Sequence, residues 1–189
     1  MGFIKKNSYH ITRLVINQVG IIIFSLVINT TVTTMPENLQ ASMSIIASAF
    51  ASVFYLFLVF YAMREAGNRD SVKIAGGRME HDKLFGLKVG FVASAVNYLF
   101  AFLMLVGLIL FGTGFGKTLF ETALTVTNFI LQPMYSGLIY VLLRALPQNL
   151  IRAGAVVCYL ITPALAALSA WLGYNYGCNH PQAEKKRGD

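Results

Sequence analysis

Charge is what this sequence has least of: Asp, Glu, Lys and Arg supply 12% of its 189 residues, while 56% are hydrophobic. Soluble domains carry about a quarter charged residues, and a mean hydropathy of +0.62 places the chain in the membrane class. The net charge of +7 does not point to nucleic acid, because the basic residues form no patch. They fall between apolar runs, where positive charge orients membrane helices.

Cysteine is almost as scarce. Cys158 and Cys178 are too few for a disulfide framework or a cysteine-based metal site. Cys158 lies in an apolar run and reads as a packing residue, whereas Cys178 and His180 are expected on an exposed tail. The middle of every apolar run lacks Asp, Glu, Lys, Arg and His. That argues against proton relays, proton-coupled carriage and intramembrane acid–base catalysis. There is no HExxH and no catalytic dyad, and a Ser without a base is not a site. No enzymatic activity, cofactor or metal is expected.

Two motifs fall short. GTGFGKT at 112–118 lacks the first glycine of a phosphate loop, because Phe111 occupies that position; it reads as a turn. Met1-Gly2 fails as a myristoylation start, since Lys6 stands where Ser or Thr is wanted. Asn29-Thr30-Thr31 fits a glycosylation acceptor at the membrane edge. The basic N-terminus runs into an apolar stretch too long for a signal peptide and is read as an uncleaved first span.

What is present is five apolar runs, at 14–32, 43–63, 89–111, 120–143 and 153–174. Each can cross a bilayer as a helix, which takes about 20 residues at ~1.5 Å rise. The expected fold is an all-α membrane bundle of five transmembrane helices, one domain over 1–176 with a polar tail at 177–189. Lys5, Lys6 and Arg13 precede the first span, and six Lys or Arg occupy 64–88. The connection after the first span has none. This alternation predicts a plasma-membrane protein with a cytoplasmic N-terminus and an extracytoplasmic C-terminus. Lys185, Lys186 and Arg187 of the tail dissent.

The fourth run is not uniformly apolar. Glu121, Thr125, Asn128, Gln132 and Tyr135 recur at spacings of four and three, which on an α-helix puts them on one face. An unpaired polar group in hydrocarbon costs several kcal/mol, so this face is expected to look at protein, water or a ligand. Pro133 removes a backbone donor and frees a carbonyl near Phe129. The carboxamides of Asn17, Gln18, Asn29 and Asn97 add donors that also need partners. The candidate ligand-binding residues are Gln18, Asn97, Asn128, Gln132 and Tyr135, with Asn97 the preferred partner of Gln132. The small residues of the second and fifth runs read as helix-packing faces.

Residues 63–88 alternate charge sign and contain Gly67, Gly76 and Gly77, which are expected to break any helix there. The segment reads as a solvated loop that fixes topology, or as a contact surface for a partner. Two segments, GGRMEHDKLFGL and TPALAALSAWLGYNYG, resemble parts of small multi-span membrane proteins of Gram-positive bacteria. That resemblance implies a bacterial plasma membrane and carries no active residues. In size the chain is also similar to substrate-binding subunits of energy-coupling-factor vitamin transporters. It departs from them in having five runs where six spans are usual, and it lacks their first-helix Ala motif.

Two functions of different class follow. One is a membrane subunit that binds or conducts a small uncharged or zwitterionic ligand within a transport assembly, as a homo-oligomer or with a partner. The other is a non-catalytic scaffold or regulatory partner of a larger membrane complex, acting through 63–88.

Overall fold

A computed structural model describes residues 2–180, and every regular element among them is helical. A short α1 (Phe3–Lys6) leads into α2 (Ser8–Thr33), α3 (Glu37–Ala75), α4 (Phe85–Ala93) and α5 (Ala95–Ile109). Then come α6 (Gly114–Val126), a π turn (Thr127–Leu131), a 3-10 turn (Pro133–Tyr135), α7 (Ser136–Arg144) and α8 (Ile151–Asn179). Three helices are long and apolar enough to cross a membrane: α2, α3 and the stretch Gln148–Asn179 that contains α8. Two more pairs reach that length only together, α4 with α5 across a 61° bend and Gly114–Leu131 with Pro133–Arg144 across a 90° bend. The chain therefore has three to five candidate spans, and the straight fourth span over 120–143 is not one of them.

α3 begins directly after Pro36, and Glu37 places a carboxylate in its first turn, where the helix dipole favours negative charge. Its 39 residues make a helix far longer than the ~30 Å of a hydrocarbon core, so its last turns lie beyond the apolar stretch. Gly67 does not break it. The expected loop over 63–88 is helical as far as Ala75 and turns only at Gly76 and Gly77, where Gly77 takes φ +67°. Gly67 is small for another reason: a Cβ there would sit 2.2 Å from the carbonyl oxygen of Tyr174 on α8.

That contact is one rung of a close parallel pair. Ser169 Oγ donates to Leu56 O at 2.7 Å, Gly173 faces the backbone of Phe60, and Gly177 faces that of Arg64. Cys178 Sγ lies 3.5 Å from Gly67 O. Residue numbers rise together along both helices, so α3 and α8 point the same way. Glycines on both sides let the backbones touch. α4 packs antiparallel to them, with Gly86 against Ala170 and Gly90 against Ala167. Cys178 is thus helical and partly buried, not part of an exposed tail, and residues 181–189 of that tail lie outside the described residues.

Two ends of the bundle can be told apart by contacts. At the basal end Arg13 pairs with Glu65 at 2.5 Å, His10 meets Phe85 at 5.8 Å, and Phe85 meets Tyr174 at 4.7 Å. The start of α2, the end of α3, the start of α4 and the end of α8 gather there. At the apical end Arg152 lies over the Phe111 ring at 4.0 Å, Gly154 faces Leu146, and Arg144 borders Ala41. Here α2 ends, α3 starts and α5 ends. α6 descends from this end along α5, with Gly116 against Leu110 and Phe120 against Gly107. After the break α7 climbs back, from Gly137 against Ser44 to Arg144 beside Ala41.

A straight fourth span would have reversed the direction of α8. The broken hairpin α6–α7 enters and leaves at one end, so α8 runs back to the end where α2 began.

Candidate functional site

The break between α6 and α7 concentrates the polar groups of the bundle. A π turn takes one more residue per hydrogen bond than an α turn, and Gln132 N–H reaches back five residues to Thr127 O at 2.8 Å. This slippage rotates the following residues out of the expected stripe. On α6 the buried positions are Gly116, Phe120 and Ala123, continued by Thr127 in the π turn, whereas Glu121 and Thr125 are exposed. The single polar face expected over 121–135 is therefore replaced by two faces on either side of the break.

Pro133 lacks an N–H, and the turn leaves neighbouring carbonyls without helical donors. The structure supplies them from other helices. Gln18 Nε2 donates to Leu131 O at 3.3 Å, and Asn29 Nδ2 reaches Pro133 O at 3.5 Å. Ser52 Oγ donates to Met134 O at 3.0 Å, while Ser48 Oγ accepts from Gly137 N–H at 2.8 Å. Two helices thus hold an irregular backbone segment inside the bundle; at membrane depth such a segment is tolerated only where it is buried in protein or lines a water-filled cavity. Ser48 and Ser52, read from sequence as packing residues, are in fact caps for the break. Their signal was Pro133, which announces freed backbone groups without saying which helix satisfies them.

Each candidate residue has a definite place. Gln18 also donates to Asn97 Oδ1 at 3.1 Å, so Asn97 pairs with α2 and not with Gln132. Gln132 is 1% exposed and accepts instead from the Thr162 hydroxyl. Its Nε2 has no partner among the described residues, nor have Tyr135 Oη and Ser25 Oγ. Tyr135 is buried edge-on to Tyr55 at 6.5 Å. Asn128 accepts from Tyr159 Oη at 2.8 Å and is only partly buried. The five are brought to one region, but they do not line one cavity. The centre is closely packed: the void beside Gln18 and Tyr55 holds about 10 Å³, roughly the space of one water, and the one beside Ser25 and Pro133 holds none.

Open space lies to the side, and also at the basal end, where a hollow of about 620 Å³ is lined by Ser8, Tyr9, Thr12, Arg13, Ile16 and Glu65. A cavity of about 460 Å³ at the apical end is lined by Asn29, Gln40, Ser44, Asn128, Ser136 and Tyr140 among others. Asn128 and Ser136 bring it to the broken segment itself. Of the five candidates only Asn128 reaches it.

A second polar cluster, at the basal end, had no signal in the sequence. Asp70 is 6% exposed and accepts from Lys73 Nζ at 2.8 Å and from Tyr174 Oη at 3.2 Å. In an alternating-charge segment it reads as solvated; the helical continuation of α3 turns it inward. Beside it, Lys83 O accepts from Trp171 Nε1 at 2.9 Å and Asn175 Nδ2 at 3.0 Å, fastening the 76–84 turn to α8. Asp82 in that turn is held below the usual carboxylate range by its hydrogen bond from Lys88. Segments 76–87 and 162–177 pack against each other here. No trio of His, Cys, Asp or Glu able to hold a metal occurs among the described residues.

No family model, curated protein or solved structure matches this chain. Apolar helices of this length define the class as a helical protein suited to a membrane.

Proposed function

We propose that this protein is a plasma-membrane subunit that binds or conducts a small uncharged or zwitterionic ligand at the apical cavity, as part of a transport assembly. The observation that carries this reading is a polar cavity of about 460 Å³ ending on a broken helix inside the bundle. Discontinuous helices meeting near the midplane are where transporters place substrate sites, because half-helix ends and unwound backbone offer hydrogen bonds there. The volume falls in the range of small-molecule sites. The ligand would meet the amides of Asn29 and Asn128 and the hydroxyls of Ser44 and Ser136. Gln18, Asn97, Gln132 and Tyr135 would shape the floor without touching it.

The orientation proposed with this reading puts both termini in the cytoplasm. α2, α3, the α4–α5 pair and α8 cross, and 114–144 forms a re-entrant hairpin from the outer face. The distribution of basic residues supports it: of the 12 Lys and Arg among the described residues, only Lys117, Arg144 and Arg152 belong to the apical end. Lys185, Lys186 and Arg187 then follow the rule they seemed to break. A second copy or a separate membrane partner would complete the assembly.

The test is ligand-dependent melting of the purified protein against a panel of small polar solutes. The expected outcome is a solute that raises Tm in wild type but not in Asn128→Leu, with the unliganded melting unchanged within a few degrees. A stabilising solute that acts equally on both proteins would place the site elsewhere. The filled centre favours a second reading, a non-catalytic membrane partner, and a complete absence of stabilising solutes would leave that one standing.

A further inference from the structure

The cavity at the break does not end at its polar wall. A second hollow of about 340 Å³ adjoins it, sharing Ala41 and Tyr140, and is lined further by Ile45, Val141 and Arg144. The two differ in character. The first holds the amides and hydroxyls and has a single charged side chain, Glu37. The second is apolar except for Arg144. One continuous groove between α3 and α7 therefore offers a carboxylate in one compartment and a guanidinium in the next, at the apical end where α3 starts and α7 ends.

Beyond the helix ends they occupy, neither charge is paired with an opposite one among the described residues. The described ion pairs are Arg13–Glu65, Arg69–Glu65, Lys73–Asp70, Lys88–Asp82 and Lys117–Glu121, and none includes Glu37 or Arg144. We propose that the groove selects a zwitterion, a molecule whose ammonium group lies toward Glu37 and whose phosphate or carboxylate lies toward Arg144. This deepens the ligand-binding reading and rests on it. A carboxylate and a guanidinium are the complementary partners of those two groups, and a guanidinium suits phosphate or carboxylate oxygens through its fork of donors. A purely cationic ligand would leave Arg144 unmatched, and a purely anionic one would face Glu37. The apolar flank of Ala41, Ile45 and Val141 adds room for a hydrocarbon portion. The same chemistry is found in an aminophospholipid headgroup and in a free amino acid.

Four soluble probes separate the possibilities: glycerophosphoethanolamine, β-alanine, ethanolamine and propionate, each titrated against full-length protein in detergent. Glycerophosphoethanolamine or β-alanine should bind at least about tenfold more tightly than either singly charged probe, the scale expected for one charged hydrogen bond. Binding of glycerophosphoethanolamine alone marks a lipid headgroup as the source, and binding of β-alanine alone marks a free amino acid. Glu37→Gln and Arg144→Gln, both at exposed positions, should each abolish that preference while leaving the melting temperature in place. Unchanged zwitterion binding in either variant overturns the proposal. Tighter binding of ethanolamine or propionate, lost in Asn128→Leu, overturns it while the cavity reading stands. Failure of all four probes and of every neutral solute overturns both.

Discussion

Gln18 and Gln132 are buried amides at one break, yet their replacement by Leu should read differently. Gln18 serves Asn97 Oδ1 and Leu131 O together. Gln18→Leu leaves two buried acceptors without that donor, and a cost of about 1–2 kcal/mol is expected. Gln132 makes one side-chain bond, to Thr162, and its Nε2 has no partner. Gln132→Leu nearly keeps the volume and removes the orphaned donor, and the Thr162 hydroxyl can turn to a carbonyl of its own helix. Its cost should stay below about 1 kcal/mol. Equilibrium unfolding of both variants in mixed detergent checks the order; a costlier Gln132→Leu would mean that its amide has a partner in the membrane. The notion that Gln132 needs Asn97 fails at this scale, because one π turn separates the face that sequence spacing implies from the face that forms.

At the scale of elements, the α3–α8 pair depends on glycine where backbones touch. Gly67→Ala would put a Cβ 2.2 Å from Tyr174 O, a backbone atom that cannot rotate away. The helices must separate, with an expected loss of about 1–3 kcal/mol. Gly20→Ala is the control: nothing lies within 4 Å of its would-be Cβ, and it sits in the interior of α2. There the greater helix preference of Ala should raise stability by up to about 1 kcal/mol. Melting temperatures moving in opposite directions are the expected result. Equal effects would mean that the close approach of α3 and α8 does not persist in solution. Separation would also loosen the 76–84 turn, which is fastened to α8 through Lys83 O.

For the whole molecule, the decisive quantity is the number of crossings. In the proposed orientation α2 starts on the side where α3 and α8 end, so the expected count is even. A fluorescent protein fused after Asp189 should fold and fluoresce in a bacterial host, while alkaline phosphatase at the same site should stay inactive. Single cysteines give an independent check in a background with both native cysteines replaced, Cys158→Ser and Cys178→Ser. Asn149→Cys, at the apical end, should react with a membrane-impermeant maleimide in intact cells, and Glu80→Cys, at the basal end, only after permeabilisation. An active phosphatase fusion with labelling at Glu80→Cys only after permeabilisation would restore an odd count and make 114–144 a full crossing.

The sequence by itself determined the helical class, the apolar segments and the residues that carry amide and hydroxyl groups, because each follows from local composition and period. It also announced trouble at Pro133, since a missing N–H is a local fact. It could not say that the fourth apolar run turns back, for hydropathy measures how greasy a segment is and not whether it continues straight. It could not say whether Gly67 breaks a helix or admits a neighbour, because both uses call for a missing side chain. Asp70 looked solvated until α3 was extended past it and α8 laid alongside. Which donor meets which freed carbonyl, and where a cavity is left open, depend on helices far apart in the chain. Packing alone decides those, since a hydrogen bond needs its partners within about 3 Å, and only the tertiary structure brings them there.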